Sequence, residues 1–186
     1  TGLSDLYEKN KGDVYDVLIK GTSIKTAITK TKFSALDILT STNELVGAEI
    51  ELVSIMAREF QLQSEIRKIK KLYDVIIIDC PPSLGLLTIN AFTSSDSLII
   101  PIQCEYYALE GLGQLLNTIR LVQNHLNKKL EIGGVIMTMY DGRLKLSKQV
   151  VKEIQGYFKD KLFKTLIHRN VRLSEAPSFG KPALLY

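Results

Sequence analysis

The chain has 186 residues, 45% of them hydrophobic and 24% charged, which is an ordinary globular composition with enough length for one sizeable core. A net charge of +4 and a pI near 8.9 permit contact with nucleic acid without demanding it. Two cysteines, Cys80 and Cys104, exclude a disulfide scaffold and a four-thiolate metal site, and no apolar run is long enough to cross a bilayer, so a cytoplasmic protein without a membrane partner is expected.

Taken in order, residues 1–21 read as a short helical region, with Asp13 as N-cap for residues 14–19 and Gly21 as the stop. Residues 36–39 form a short strand candidate. From Ala48 the pattern turns helical, with Leu62, Ile66 and Ile69 at helical spacing and a basic run at 67–71 that complements a helix C-terminus. Residues 75–78, Val-Ile-Ile-Ile, are expected to be a strand buried on both faces, the kind found inside parallel sheets. Residues 84–92 read as a helix and 97–103 as a second buried strand. Leu109, Leu112, Leu115, Leu116, Ile119, Val122 and Leu126 then line one face of a long amphipathic helix. Residues 133–140 are another strand. A helix beginning at Ser147 turns Val150, Val151, Ile154 and Phe158 inward, and residues 163–167 are the last strand. This alternation predicts an α/β fold, doubly wound on a mostly parallel sheet, and no linker or repeat divides the expected single domain, 1–186.

The apolar run at 75–78 ends on a carboxylate, Asp79, and Pro81 and Pro82 forbid further ladder bonds. Ligands of open α/β sheets bind outside the carboxyl ends of the strands. An acidic residue placed there suits a magnesium ion held through water; the plain alternative is an aspartate that caps a turn. Both cysteines sit near expected strand ends and read as small buried residues.

Asp79-Cys80-Pro81-Pro82-Ser83-Leu84-Gly85, Gln103-Cys104-Glu105-Tyr106-Tyr107-Ala108-Leu109-Glu110-Gly111 and Arg169-Asn170-Val171-Arg172-Leu173-Ser174-Glu175-Ala176-Pro177-Ser178 together closely resemble the ParA/Soj family of chromosome and plasmid partitioning ATPases, and the likeness runs through essentially the whole chain. The resemblance implies a three-layer P-loop-NTPase-like fold, ATP and Mg2+ as cofactors, an ATP-bound homodimer, non-specific double-stranded DNA, a ParB-like centromere-binding partner and a nucleoid-associated location. It implies that Asp79 orders magnesium through water, and that Pro81, Pro82, Ser83 and Gly85 shape a switch sensing the γ-phosphate. It sets Met139, Tyr140, His168 and Asn170 beside the nucleotide base, and Arg143 and Arg172 on the DNA, with Lys145 and Lys181 as neighbours. His168 departs from the family, which usually has proline there. Tyr106, Tyr107 and Glu110 are candidates for the dimer face.

No G-x-x-x-x-G-K-[ST] loop occurs in the 186 residues. In the family that loop, its functional lysines and a catalytic aspartate lie upstream of the point matching Thr1, and a final helix lies beyond Tyr186. The resemblance therefore implies a member without its first strand–P-loop–helix unit, and the chain by itself is expected neither to bind ATP tightly nor to hydrolyse it. A MinD-like cell-division ATPase and a non-enzymatic DNA- or partner-binding module stand as alternatives.

Overall fold

Asp13 opens the first helix, α1 (Val14–Leu18), with a reciprocal capping box: its carboxylate accepts from the Asp16 amide at 3.0 Å, and the Asp16 carboxylate accepts from the Asp13 amide at 3.1 Å. Thr42 Oγ1 donates to the other Asp13 oxygen at 2.7 Å, so this buried carboxylate is fully engaged. Gly21, at φ +71°, turns the chain in the left-handed region that favours glycine. The computed structural model describes residues 12–33, 35–106, 108–180, 183 and 186, with backbone alone at 108–110. Its contacts divide the chain into two compact units, one within 3–95 and the other within 96–186.

In the first unit α1 is followed by α2 (Ile24–Ala27) and a two-residue antiparallel ladder of β1 (Thr29–Lys30) with β2 (Asp37–Ile38). Then come α3 (Leu45–Glu51), α4 (Gln61–Arg67) and α5 (Leu86–Ser94). Val17, Leu18, Ile24, Ala27, Leu62, Ile66 and Ile69 make one buried cluster, so the helical spacing read at 62, 66 and 69 does mark the inward face.

Residues 75–78 are a correction. They carry no strand assignment, and Val75 and Ile77 are 72% and 87% exposed. Ile76 is less exposed, at 37%, and Ile78 packs against the cluster, so burial alternates along the run instead of covering both faces. A β-branched run buries both faces only when strands flank it. The one ladder among the described residues of this unit, β1 with β2, lies elsewhere in the chain. Cys80, expected to be buried, is exposed for the same reason, whereas Cys104 is buried as expected.

The second unit holds the parallel sheet. Its strands β3 (Ser97–Gln103), β4 (Glu131–Tyr140) and β5 (Leu162–His168) lie in the order β3-β4-β5, all parallel. Leu98 pairs with Ile132 and Ile99 with Gly134, which leaves Gly133 as the extra residue of a bulge. Helix α6 (Ala108–His125) buries Leu112, Ile119 and Val122, and α7 (Lys145–Phe158) buries Val150, Ile154 and Phe158. Each such side chain contributes about 1.5–3 kcal/mol of apolar burial. Val135 and Met137 of β4 are fully inaccessible, as expected for the middle strand of the three. The short helix α8 (Val171–Glu175) closes the unit.

Candidate functional site

Because β3, β4 and β5 run parallel, their carboxyl ends reach one edge of the sheet. That edge carries Gln103 to Tyr106, Met139 to Arg143, and His168 to Arg172, the segments singled out from sequence in this unit. The strands are tied together there by the backbone. Cys104 N donates to Thr138 O at 3.0 Å and Arg169 N donates to Tyr140 O at 3.1 Å. A side-chain tie crosses from the β3 end to the β5 end, Arg169 Nη2 to Glu105 Oε1 at 3.0 Å.

Met139 sits at φ +54°, a conformation that non-glycine residues enter only under constraint, and the β4–β5 register shifts between Met137 and Tyr140. Strain and a register break therefore coincide at the carboxyl end of β4. The next residue, Tyr140, is half-buried and meets the His168 ring edge-on, centroids 5.1 Å apart at 83°. The pair gives the edge a partly apolar corner, one ring standing nearly perpendicular to the other, with polar atoms on both rings. Asn170 uses its side-chain oxygen to cap α8, accepting from Arg172 N at 2.9 Å. Of its carboxamide only the nitrogen, a donor, has no partner among the described residues.

The cations differ in how they are held. Arg143 Nε and Nη2 reach Asp141 Oδ1 and Oδ2 at 2.9 and 2.6 Å, a two-pronged pair, and the Arg143 amide adds a third bond to Oδ1 at 3.0 Å. That guanidinium holds the Asp141 carboxyl well below the usual carboxylate range. Arg172 and Lys145 are exposed. Lys181, Tyr107 and the side chain of Glu110 lie outside the described residues; Tyr106 is 71% exposed.

Asp79, Pro81 and Pro82 belong to the other unit, where all three are exposed. The helix that follows them is fixed by a residue sequence reading missed. Glu49, on α3, accepts from the amides of Leu86 and Leu87 at 2.8 and 3.2 Å and so caps the start of α5. A Cβ at position 85 would lie 2.5–2.8 Å from the Glu49 carboxylate, so any side chain there would push this cap aside. Thr88 Oγ1 donates to Ser83 O at 2.6 Å and fixes the turn just after Pro82. No local sequence signal pairs residues 49 and 86.

Comparison with known proteins decides the family. A family model described as an AAA domain matches residues 1–132. The sporulation initiation inhibitor protein Soj of Bacillus subtilis is 58% identical over 173 residues, which is 93% of this chain and 68% of that protein. The chain belongs to the ParA/Soj family of chromosome-partitioning ATPases. The chromosome partitioning protein ParA of Myxococcus xanthus is 48% identical, over all of this chain and 66% of its own length. Among solved structures, cobyrinic acid a,c-diamide synthase from Mycobacterium smegmatis with bound ADP and magnesium matches 88% of the chain and 66% of its own, at 34% identity and a TM-score of 0.79. The α/β, P-loop-NTPase-like fold expected from sequence is thus the family's fold. The chain spans about two thirds of the length of these relatives.

Proposed function

We propose that the chain is the part of a ParA-type partitioning ATPase that holds the water-linked magnesium aspartate, the base-facing edge and the DNA face. In the cycle proposed here, ATP drives dimerisation, the dimer binds nucleoid DNA without reading sequence through a face that each protomer carries whole, so that the single chain keeps a weaker form of the same binding, and a ParB-like centromere-binding protein stimulates hydrolysis and release. The observation that carries the reading is the gathering of Tyr140, His168 and Asn170 with Arg143, Lys145 and Arg172 at one sheet edge, in a member of this family. Tyr140 and His168 would flank a purine, and the free Asn170 carboxamide nitrogen would donate to a ring nitrogen. Arg172 would neutralise backbone phosphate, which carries no sequence information.

Magnesium fits Asp79 only as an outer partner. The carboxylate is exposed and has no ion pair among the described residues, and no cluster of three or more ligating side chains occurs among them. Magnesium keeps several of its waters, so substrate phosphates and waters would fill the octahedron and the Asp79 carboxylate would hold one of those waters. Bound there, the ion would neutralise charge on the phosphates.

The DNA arm of the reading is tested by fluorescence anisotropy on two duplexes of unrelated sequence at matched salt. Equal affinities are expected, with Kd of about 10⁻⁴–10⁻⁶ M near physiological salt. A tenfold preference for one duplex, or no binding to either, contradicts it.

A further inference from the structure

Helix α7 carries Lys145, Lys148 and Lys152 at i, i+3 and i+7, all exposed and on the side opposite its buried residues Val150, Ile154 and Phe158. None of the three has an ion-pair partner among the described residues. Glu153 lies to the side of this row, where Gln149 Nε2 donates to it at 3.1 Å. At 1.5 Å of rise per residue the row extends about 10 Å along the helix. One strand of duplex carries a phosphate every ~3.4 Å of axis, so about three phosphates face a track of that length. The row begins two residues after Arg143, at the same sheet edge.

Arg143 presents the opposite case. Its side chain is 89% exposed, yet its Nε–Nη2 edge is already filled by the Asp141 carboxylate, in the two-pronged geometry a phosphate would use. A phosphate that is to take that edge must displace the carboxylate first; the Nη1 side stays open, but its charge is already neutralised by Asp141. Asp141 stays ionised at neutral pH, because the guanidinium lowers its carboxyl and the bonds to the Arg143 side chain and amide add to the effect.

The geometry points to the Lys145–Lys148–Lys152 face of α7 as the principal phosphate track of this unit, with Arg143 masked by Asp141. This rests on the DNA-binding reading above and assigns to it residues and an order of engagement that the family resemblance does not. DNA-bound states would recruit Lys148 and Lys152 first, and the two-pronged edge of Arg143 only where the carboxylate is displaced.

The test is a salt series of DNA affinity by anisotropy on the wild-type chain and three variants: Lys148→Gln/Lys152→Gln, Arg143→Ala and Asp141→Asn. Arg143, Lys148 and Lys152 are exposed and Asp141 is partly buried, so a thermal melt checks that each variant remains folded. The lysine pair should flatten the slope of log K against log[salt] by about 1.8, at ~0.9 per phosphate contact. Arg143→Ala should flatten it by less than half as much, and Asp141→Asn should tighten binding and steepen the slope by about 0.9. An unchanged slope in the lysine pair overturns the track. Weaker binding by Asp141→Asn overturns the mask, since the carboxylate would then be orienting Arg143 for DNA. Failure of the wild-type chain to bind any duplex removes the DNA reading and this inference together; binding that is indifferent to the lysines removes this inference alone.

Discussion

Asn90→Leu should lower the stability of the first unit by about 2–6 kcal/mol, from two backbone groups, Leu62 N and Arg58 O, left unpaired at ~1–3 kcal/mol each, while Leu86 O keeps its helical partner, the amide of residue 90. Asn90 is wholly inaccessible. Its side-chain oxygen accepts from Leu62 N at 3.1 Å, and its nitrogen donates to Arg58 O at 2.7 Å and to Leu86 O at 2.9 Å. Leu62 is the second residue of α4, so the bonded amide is one that no partner within its own helix can satisfy. Leucine matches the volume but supplies neither donor nor acceptor. The two orphaned groups then lie where α5 meets the start of α4 and the turn Arg58–Phe60 just before it. Urea unfolding is the check, with a fall in midpoint at constant slope. A loss under 1 kcal/mol would mean that water reaches these groups and that the asparagine is not the joint between the two helices.

Met137→Ala should cost about 2–5 kcal/mol in the sheet-bearing unit, where Met137→Leu should cost under ~1.5. Met137 is fully inaccessible in β4, opposite Ile102 on one side and Leu166 on the other. Alanine removes the thioether stem from the middle of the sheet, and close-packed neighbours relax only partly into the gap. Leucine keeps the volume. Both variants leave the charged edge intact, so DNA affinity measured below the unfolding temperature should stay within about twofold of wild type, given that surface charges alone set non-specific binding. Equal stabilities for the alanine and leucine variants would show that the interior of this sheet is not tightly packed around β4.

Legibility from sequence followed the range of the interaction. The Asp13 cap, the spacing of 62, 66 and 69, and the strands at 97–103, 133–140 and 163–167 are written in periods of two and 3.6 or in side chains three residues apart, and the structure has them. The run 75–78 has the composition of a central strand, but composition cannot supply the flanking strands that bury one, and the run stands half exposed. Glu49 over Leu86 and Asn90 over Leu62 join residues 37 and 28 positions apart, which no local pattern announces. The Asp141–Arg143 pair is a different failure. The two residues stand only two positions apart in the sequence, but only the rotamers show that one edge of the arginine is already occupied. The lysine row was legible: i, i+3, i+7 spacing from Lys145 was available in the sequence, and only its first member was singled out.

The most direct test of the account is amide chemical-shift mapping of the isotope-labelled chain during titration with a short duplex. The account predicts shifts concentrated at 141–152 and 168–172, the carboxyl-end edge of the sheet and the exposed face of α7, for any duplex sequence. Shifts confined to residues of the 3–95 unit, or none at a duplex concentration that saturates anisotropy, would contradict it.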